Sequence, residues 1–349
     1  MNYLQWLHEA TPTRWWHDSA IPAEIDAALA LGALGVTTNP VLTFKSLNAV
    51  PDFWAPRIAD IPEDMVGLPR AEALLRVIAC YAAKKLEPVF EKTQGAHGYA
   101  FGQLNPDFAG DRDAMLAQGL RYASWAPNIA VKLPTTASAI PVVEELAARG
   151  IAICATLNFS VSQAVAVAEA YQKGITRARA EGKTVRPCYV VQQGGRLEDY
   201  LRMVASDRQL GLAESDILQA GNALVKKTIG IFNAKGYEAK IMPAGLRQVR
   251  HLTELAGAPL VFSLHPRIQK MVLDANPPQI LRFEEPVDAK AIAQLRKISE
   301  FCRAYDEGGL AFEEFMTFGV TQKTLAQFLE TGWSPLEIYG SKAVSSRWT

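Results

Sequence analysis

Along this chain short apolar runs alternate with longer stretches in which Ala and Leu recur at helical spacing. The short runs, bounded by turn residues, read as strands buried on both faces. The amphipathic stretches between them read as helices, which is the pattern of repeated βα units feeding a parallel sheet. Strands are predicted at 14–17, 35–38, 99–104, 129–133, 151–157, 188–192, 239–242 and 260–264. Helical patterns follow at 23–31, 70–91, 111–124, 138–148, 160–180, 197–205 with 214–234, 246–256 and 266–275. Eight strands each followed by helix predict a closed (β/α)8 TIM barrel of residues 1–285, with its chemistry at the carboxyl ends of the strands. Residues 286–349 are expected to add a helical extension, including 290–307 and 322–330, that packs on the barrel or meets a second copy in a homo-oligomer. No stretch rich in Pro, Gly and Ser divides the chain.

A barrel should gather polar residues from several strand ends into one pocket. The predicted strands end in Asp18, then Thr37, Thr38 and Asn39, then Gln103 and Asn105, then Lys132, then Thr156 and Asn158, then Gln192 and Gln193 with Arg196 beyond, then Arg247 and last His265. Strand parity puts Ala130 and Lys132 on one face and Val131 and Leu133 on the other. On the next strand it groups Ala152, Cys154, Thr156 and Asn158 against Ile153, Ala155 and Leu157, so the polar face is expected to point inward. Trp15 and Trp16 fall on opposite faces, one inside the barrel and one under the helices.

Lys132 is the odd residue of the set, an amine inside the strand-like run NIAVKLPTT. An amine is a nucleophile only when unprotonated, and at an ordinary pKa of about 10.4 roughly one in a few thousand is so at neutral pH. Burial among Ile129, Val131 and Leu133 is expected to disfavour the charged form and enlarge that fraction. Such a lysine condenses with a ketone to a protonated Schiff base, which takes up the electron pair left when the adjacent carbon–carbon bond breaks. Asp18 suits the proton transfer at the hydroxyl of the breaking bond, and Thr156 with Gln103 suits the holding of a water.

Composition narrows the ligand. Lys plus Arg and Asp plus Glu number 36 each, with no long block of one sign, which argues against nucleic acid or an acidic membrane as partner and leaves a small molecule. Nearly half of the 349 residues are apolar, enough for a large core. The four cysteines are scattered without a CxxC pair or a His at ligand spacing, so no metal and no cofactor is expected. The first residues lack a basic leader followed by an apolar core, and no run of about 18 apolar residues occurs, so the expected location is the cytoplasm.

The segments GVTTNPVL (35–42), VKLPTT (131–136), TLNFSVSQA (156–164), GGR (194–196) and AGLR (244–247) resemble, in order, the successive motifs of the transaldolase family. The resemblance spans about residues 14 to 266. It implies a (β/α)8 barrel of the class I aldolase type, with Lys132 forming the Schiff base and Asp18 transferring the proton. It also implies Asn39 on a substrate hydroxyl, Thr156 on the catalytic water, and Arg196 and Arg247 on a substrate phosphate. Thr38, Asn158 and Gln193 join Asn39 as expected substrate-binding residues from their places at the strand ends. The chain departs from the family pattern in several positions. Gln103 stands where ordinary transaldolases carry a Glu, as in the related fructose-6-phosphate aldolases, yet Gln193 stands where those carry a compensating Tyr. Cys154 replaces a substrate-binding Asn, Val191 a Ser, and Gly245 the Ser before the second Arg. A site short of these partners should discriminate against the usual sugar of pentose phosphate exchange.

Three functions follow as alternatives. The first is transfer of a three-carbon dihydroxyacetone unit between a ketose and an aldose, either or both phosphorylated. The second is aldol cleavage without transfer, and the third a sugar-phosphate-binding barrel without turnover. Structural readings stand beside the chemical ones: Asp18 as a helix cap, Asn39 as a turn or N-cap, Arg196 and Arg247 as ion-pair residues, Gly194 and Gly195 as a turn or as backbone donors, and His17 and His265 as structural histidines. Tyr189 shares parity with Val191 and Gln193 as a substitute acid, four residues back and so expected to lie deep.

Overall fold

A computed structural model describes residues 1–342. Its strands are β1 (Arg14–His17), β2 (Ala100–Gln103), β3 (Ile129–Pro134), β4 (Ile153–Asn158), β5 (Cys188–Gln192), β6 (Lys240–Pro243) and β7 (Val261–Leu264), and all their pairings are parallel. The segment predicted as a strand at 35–38 forms only a bridge at Val36, to His17 on one side and Ala100 on the other. Its backbone nevertheless spans the two neighbours, because Thr37 N–H donates to the His17 carbonyl and Val36 N–H to the Tyr99 carbonyl. It is the second stave, cut short by the turn at Asn39 and by Pro40, which opens the helix Pro40–Ala49. Gly35 lets it lie against Trp16, whose ring would sit 2.3 Å from a Cβ at that position. The hydrogen-bonded wall thus runs β7, β1, the Val36 stave, β2, β3, β4, β5 and β6. β6 lies alongside β7 without ladder pairing to complete the (β/α)8 barrel.

The parity argument holds along most of the wall. Trp16, Phe101, Ala130, Cys154 and Tyr189 share the interior cluster, while Trp15, Val131, Leu133, Ile153 and Ala155 pack outward under the helices. The interior is floored by aromatic rings, Trp16 lying 4.6 Å from Tyr189 and 5.2 Å from Phe101 between centroids. The Tyr189 hydroxyl donates to the Ala96 carbonyl at 3.3 Å, in the loop that leads into β2. It therefore faces the amino-terminal end of the barrel, away from the strand ends.

The long predicted helices appear as Leu68–Lys92, Arg112–Ala123, Ile140–Ala148, Val161–Ala180 and Pro266–Ala275. Three more, Tyr3–Ala10, Pro40–Ala49 and Pro51–Ile58, were not legible as periodic stretches. The helix predicted at 246–256 shrinks to Arg250–Thr253, because Gly245 takes a left-handed φ of +62° and the chain continues from it as an open loop. The pattern at 290–307 divides into Ala289–Leu295 and Ser299–Tyr305. The helix Gly319–Phe328 then passes through a wide turn, Leu329–Trp333, into Ser334–Ile338, and the rest of the expected extension, 343–349, lies outside the described residues. Gly332 seats this turn on the start of the helix Pro40–Ala49, since a Cβ there would come 2.7 Å from the Val41 nitrogen. Trp333 beside it is fully buried with Leu47 and Trp54. No helix among the described residues is long and apolar enough to cross a membrane.

His17 closes β1 as a buried ring whose Nδ1 lies 2.8 Å from the Gln269 amide nitrogen. Burial lowers its pKa from the ordinary 6.5 to about 4. The unfolded chain therefore takes up a proton below 6.5 that the folded chain refuses until about 4, so this contribution to stability is complete above 6.5 and fades as the pH falls. The loss is roughly 3 kcal/mol at the most. Urea titrations at several pH values should show His17→Gln losing less stability on acidification than the unaltered chain. Parallel curves for the two proteins would show that His17 is not the group responsible.

Candidate active site

Lys132 lies on β3 in register with Gln103 of β2 and Cys154 of β4. It is 5% exposed, and its Nζ donates to the Thr38 carbonyl at 3.2 Å and sits 5.6 Å from the centroid of the Phe101 ring. No carboxylate among the described residues lies within ion-pairing distance of it, so it is not half of a surface ion pair. Its apolar surroundings differ from those expected. Ile129, Val131 and Leu133 face the helices, and the groups beside the amine are Phe101, Ala130 and Cys154, because neighbours in sequence on a strand point to opposite faces. Burial pushes the Cys154 thiol up to about 12, which leaves it a small apolar neighbour and not a competing nucleophile.

Thr38 positions the lysine from the second stave. Its hydroxyl donates to the Phe101 carbonyl on β2, and its own carbonyl receives the amine, so the side chain is spent on the backbone and does not line the inner chamber described below. Asp18, the first residue after β1, accepts a hydrogen bond from the Thr37 hydroxyl at 2.6 Å, and that hydroxyl also lies 2.9 Å from Ser263 of β7. It caps no helix: the helix Pro22–Ala30 begins after Ile21 without a side-chain cap, and it is Ser19 whose hydroxyl meets Glu24. Asn39 does cap its helix, Oδ1 accepting from the Leu42 N–H at 2.9 Å, which leaves its amide nitrogen as the group available to a ligand.

These residues meet around two chambers at the carboxyl ends of the strands. The inner one, about 70 Å³, is lined by Lys132, Asp18, Thr37, Asn39, Gln193, Arg196 and Ser263, with Phe101, Val191, Met242 and Phe328 among its apolar walls. The outer one, about 330 Å³, shares Asp18, Asn39, Arg196 and Phe328 with it and adds Lys45, Arg247, His265 and Arg267. Gln103 and Thr156, on the strands flanking Lys132, are buried and line neither chamber. Gln103 Oε1, Thr156 Oγ1 and Gln193 Oε1 have no protein partner, as buried polar atoms do when water or ligand supplies it. Asn158 is fully buried, donates to the Ala155 carbonyl at 2.7 Å and lines neither chamber. The alternation inferred for its strand fails there, since the β4 register shifts between Ala155 and Asn158 and Leu157 takes a left-handed φ of 62°.

At the outer end Arg196 donates to Gln327 Oε1 at 2.6 Å and lies 5.6 Å from the Phe328 ring. Burial first, and Arg247 second, lower its pKa. Arg247 is tied to Asp199 through Nε and Nη2, at 3.0 and 2.9 Å, and through Nη1 to the Gly245 carbonyl. The arginines thus stand together at one cavity, one held by a neutral amide and the other by a carboxylate. Gly194 and Gly195 open the helix Gly194–Asp207, Gly194 packing on Gly221 of the helix Ala220–Lys235 and Gly195 on the Gly245 loop. A Cβ on Gly195 would lie 2.2 Å from the Gly245 carbonyl oxygen and 2.8 Å from Arg247 Cγ. Behind that loop His251 Nδ1 accepts the Arg247 N–H at 3.0 Å, and its Nε2 lies 3.1 Å from both oxygens of the buried Glu198. His265 instead caps the helix Pro266–Ala275 by accepting the Arg267 N–H.

Several of these residues were not found by sequence reasoning. Ser263 carried a signal, a hydroxyl inside the apolar run VFSL of a barrel strand. Gln327 and Phe328 carried none, because they arrive from a helix far along the chain.

The sequence model of the family described as Transaldolase/Fructose-6-phosphate aldolase matches residues 15–330, which takes in all seven strands but for Arg14, and the helix that bears Phe328. The chain belongs to that family. Among curated relatives, a transaldolase of Thermobifida fusca is 27% identical over 237 residues, 64% of this chain and 63% of the relative. Transaldolase 2 of Nostoc punctiforme is 33% identical over 162 residues, 44% of this chain and 41% of the relative. The matched stretches thus span less than two thirds of the length of these members of the transaldolase/fructose-6-phosphate aldolase family.

Within the family fold, the contact between Gly195 and the Gly245 loop fixes where the two arginines stand. Gly195→Ala should push that loop outward and cost about 1–3 kcal/mol of stability. A thermal midpoint equal to that of the unaltered chain would show that the loop accommodates the methyl group freely.

Proposed function

We propose that this chain is a transaldolase-like class I enzyme that moves a three-carbon dihydroxyacetone unit from a ketose to an aldose through a Schiff base on Lys132, with sugar phosphates as substrates and the cytoplasm as its place of work. The observation that carries the reading is the buried Lys132 amine, held by a backbone carbonyl, without a carboxylate partner, in the wall of a chamber that also contains Asp18 and Asn39.

In this reading the neutral amine adds to the ketone carbon and water leaves, giving the protonated Schiff base. As the neighbouring carbon–carbon bond breaks, its electron pair passes to the iminium and leaves an enamine. Asp18 takes the proton of the hydroxyl on the departing carbon, which leaves as an aldehyde. The acceptor aldehyde then follows the reverse course: the enamine carbon attacks it, Asp18 returns the proton, and water releases Lys132. Gln103 and Thr156 orient the water through their unpartnered oxygens, but an amide exchanges no proton near neutral pH. Asp18 is the only carboxylate in the lining of the inner chamber, so both proton transfers fall to it. Asn39 holds a substrate hydroxyl through its amide nitrogen, Gln193 offers an acceptor to another, and the phosphate lies toward Arg196 and Arg247. The helices that follow residue 286 belong to this catalytic unit, since Gln327 and Phe328 complete its mouth.

Gln103 in place of Glu favours a second reading, a lyase that releases the three-carbon ketone without an acceptor. Product analysis separates the two, because a transferase consumes ketose only when an acceptor aldehyde is present.

Borohydride reduction in the presence of fructose 6-phosphate or dihydroxyacetone should leave one adduct, mapped by mass spectrometry to Lys132 and missing from Lys132→Ala. Asp18→Asn should keep the adduct and lose on the order of 10²–10⁴-fold in kcat. An adduct on another lysine would overturn the assignment. Ligand-induced stabilisation with no adduct would instead identify a sugar-phosphate-binding barrel without turnover.

A further inference from the structure

The outer chamber holds more positive charge than one phosphate needs. Arg196 enters it from the first turn of the helix after β5 and Arg247 from the loop after β6, on one side of the barrel mouth. Two further cations continue around this mouth past the stave of Arg247, since β6 lies alongside β7. Lys45 comes from the helix after the Val36 stave, on the face that also presents Val41 and Leu42, and Arg267 comes from the first turn of the helix after β7. In the circular order of the wall, the β7 stave of Arg267 and the Val36 stave of Lys45 flank β1, which carries Asp18.

Within the chamber this pair differs from Arg247 in lacking a counterion. Neither has a carboxylate partner among the described residues, whereas Arg247 is matched by Asp199, and Asp18 is the only carboxylate in the chamber lining. The Arg267 backbone is held at the start of its helix, where its N–H donates to His265 Nδ1 at 3.2 Å. Unpaired cations around a chamber of about 330 Å³ repel one another, and an anionic group placed between them relieves that repulsion. The chamber is at the small end of ligand sites, which start at roughly 300 Å³, so two anion subsites along its rim lie within reach of one sugar-sized molecule.

From this arrangement we infer that Lys45 and Arg267 form a second anion subsite, separate from the arginine pair, and that the chain takes a sugar-derived ligand bearing two anionic groups. The inference rests on the sugar-phosphate reading of the chamber and deepens it. The second group is a phosphate or a carboxylate, since two cations recognise either.

Calorimetric titration at low ionic strength with fructose 6-phosphate, fructose 1,6-bisphosphate and 6-phosphogluconate tests it without requiring turnover. The two-anion ligands should bind about tenfold more tightly than fructose 6-phosphate, with the advantage fading as salt screens the rim. An advantage for the bisphosphate alone identifies a phosphate subsite, and one for the phosphogluconate alone a carboxylate subsite. Lys45→Gln with Arg267→Gln should remove the advantage and leave fructose 6-phosphate binding unchanged. Both side chains are exposed, so the thermal midpoint should not move. Equal affinity for all three ligands, or an advantage that survives the double substitution, overturns the inference. Loss of the Lys132 adduct would count against the reaction alone, because the binding ratios are read without it.

Discussion

An amine inside a barrel has N–H groups that must point at something, and in this chain the partner is the carbonyl of Thr38. That requirement reaches outward. The carbonyl is available only because the second stave breaks off after a single bridge at Val36, so that its backbone turns over the barrel mouth and does not continue as ladder. The turn is held by the Thr38 hydroxyl on the Phe101 carbonyl and by Asn39 capping the helix that follows. Thr37, between them and the strand, sends its hydroxyl to Asp18 and Ser263. The short TTNP segment thus ties the lysine, the carboxylate and the start of a helix to one piece of backbone. Its two Thr side chains are spent on holding that geometry, and Asn39 is the member with a group left for a ligand.

The outer end is built on close approach of backbones. Gly195 admits the Gly245 loop to the start of a helix at a distance that a methyl group would forbid, Gly194 lies against Gly221, and His251 with Glu198 braces the same loop. The backbone from which the two arginines project is therefore set by close packing, and their side chains are then held by separate partners. A carboxylate holds Arg247 and an amide from the C-terminal helix holds Arg196, so the charge that faces the chamber comes mainly from Arg196 on that side.

Strand positions were legible because parallel strands in a barrel are apolar on both faces and bounded by turns, and the wall follows those runs within a residue or two for most of its length. The inward direction of Ala130, Lys132 and Cys154 followed from parity alone. Parity failed at Asn158, where a left-handed Leu157 and a register shift interrupt it, and a local conformation of that kind leaves no periodic trace in sequence. The expected surroundings of Lys132 fail for the same periodicity, because Ile129, Val131 and Leu133 lie on the face opposite its amine. The helix predicted after AGLR failed because one left-handed glycine outweighs an apolar repeat. Gln327, Phe328, Lys45 and Arg267 reach the site through tertiary folding, and no spacing rule connects them to it.

The helix Gly319–Phe328 shows why the chemistry cannot be confined to the strand ends. Phe328 stands in the lining of both chambers and Gln327 on Arg196, so this helix supplies an apolar wall on one side and a neutral hydrogen bond on the other. Its position is fixed at the far end by Gly332 and Trp333, which bury the following turn against the helix that Asn39 caps. The same helix, Pro40–Ala49, therefore presents Asn39 to the inner chamber, Lys45 to the outer one and a docking face to the chain's last described turns. A shift of that helix would move a hydrogen-bond donor, a cation and the aromatic wall together. The residues that bind and the residues that enclose thus share one mechanical support, and it stands directly after the segment that holds the lysine.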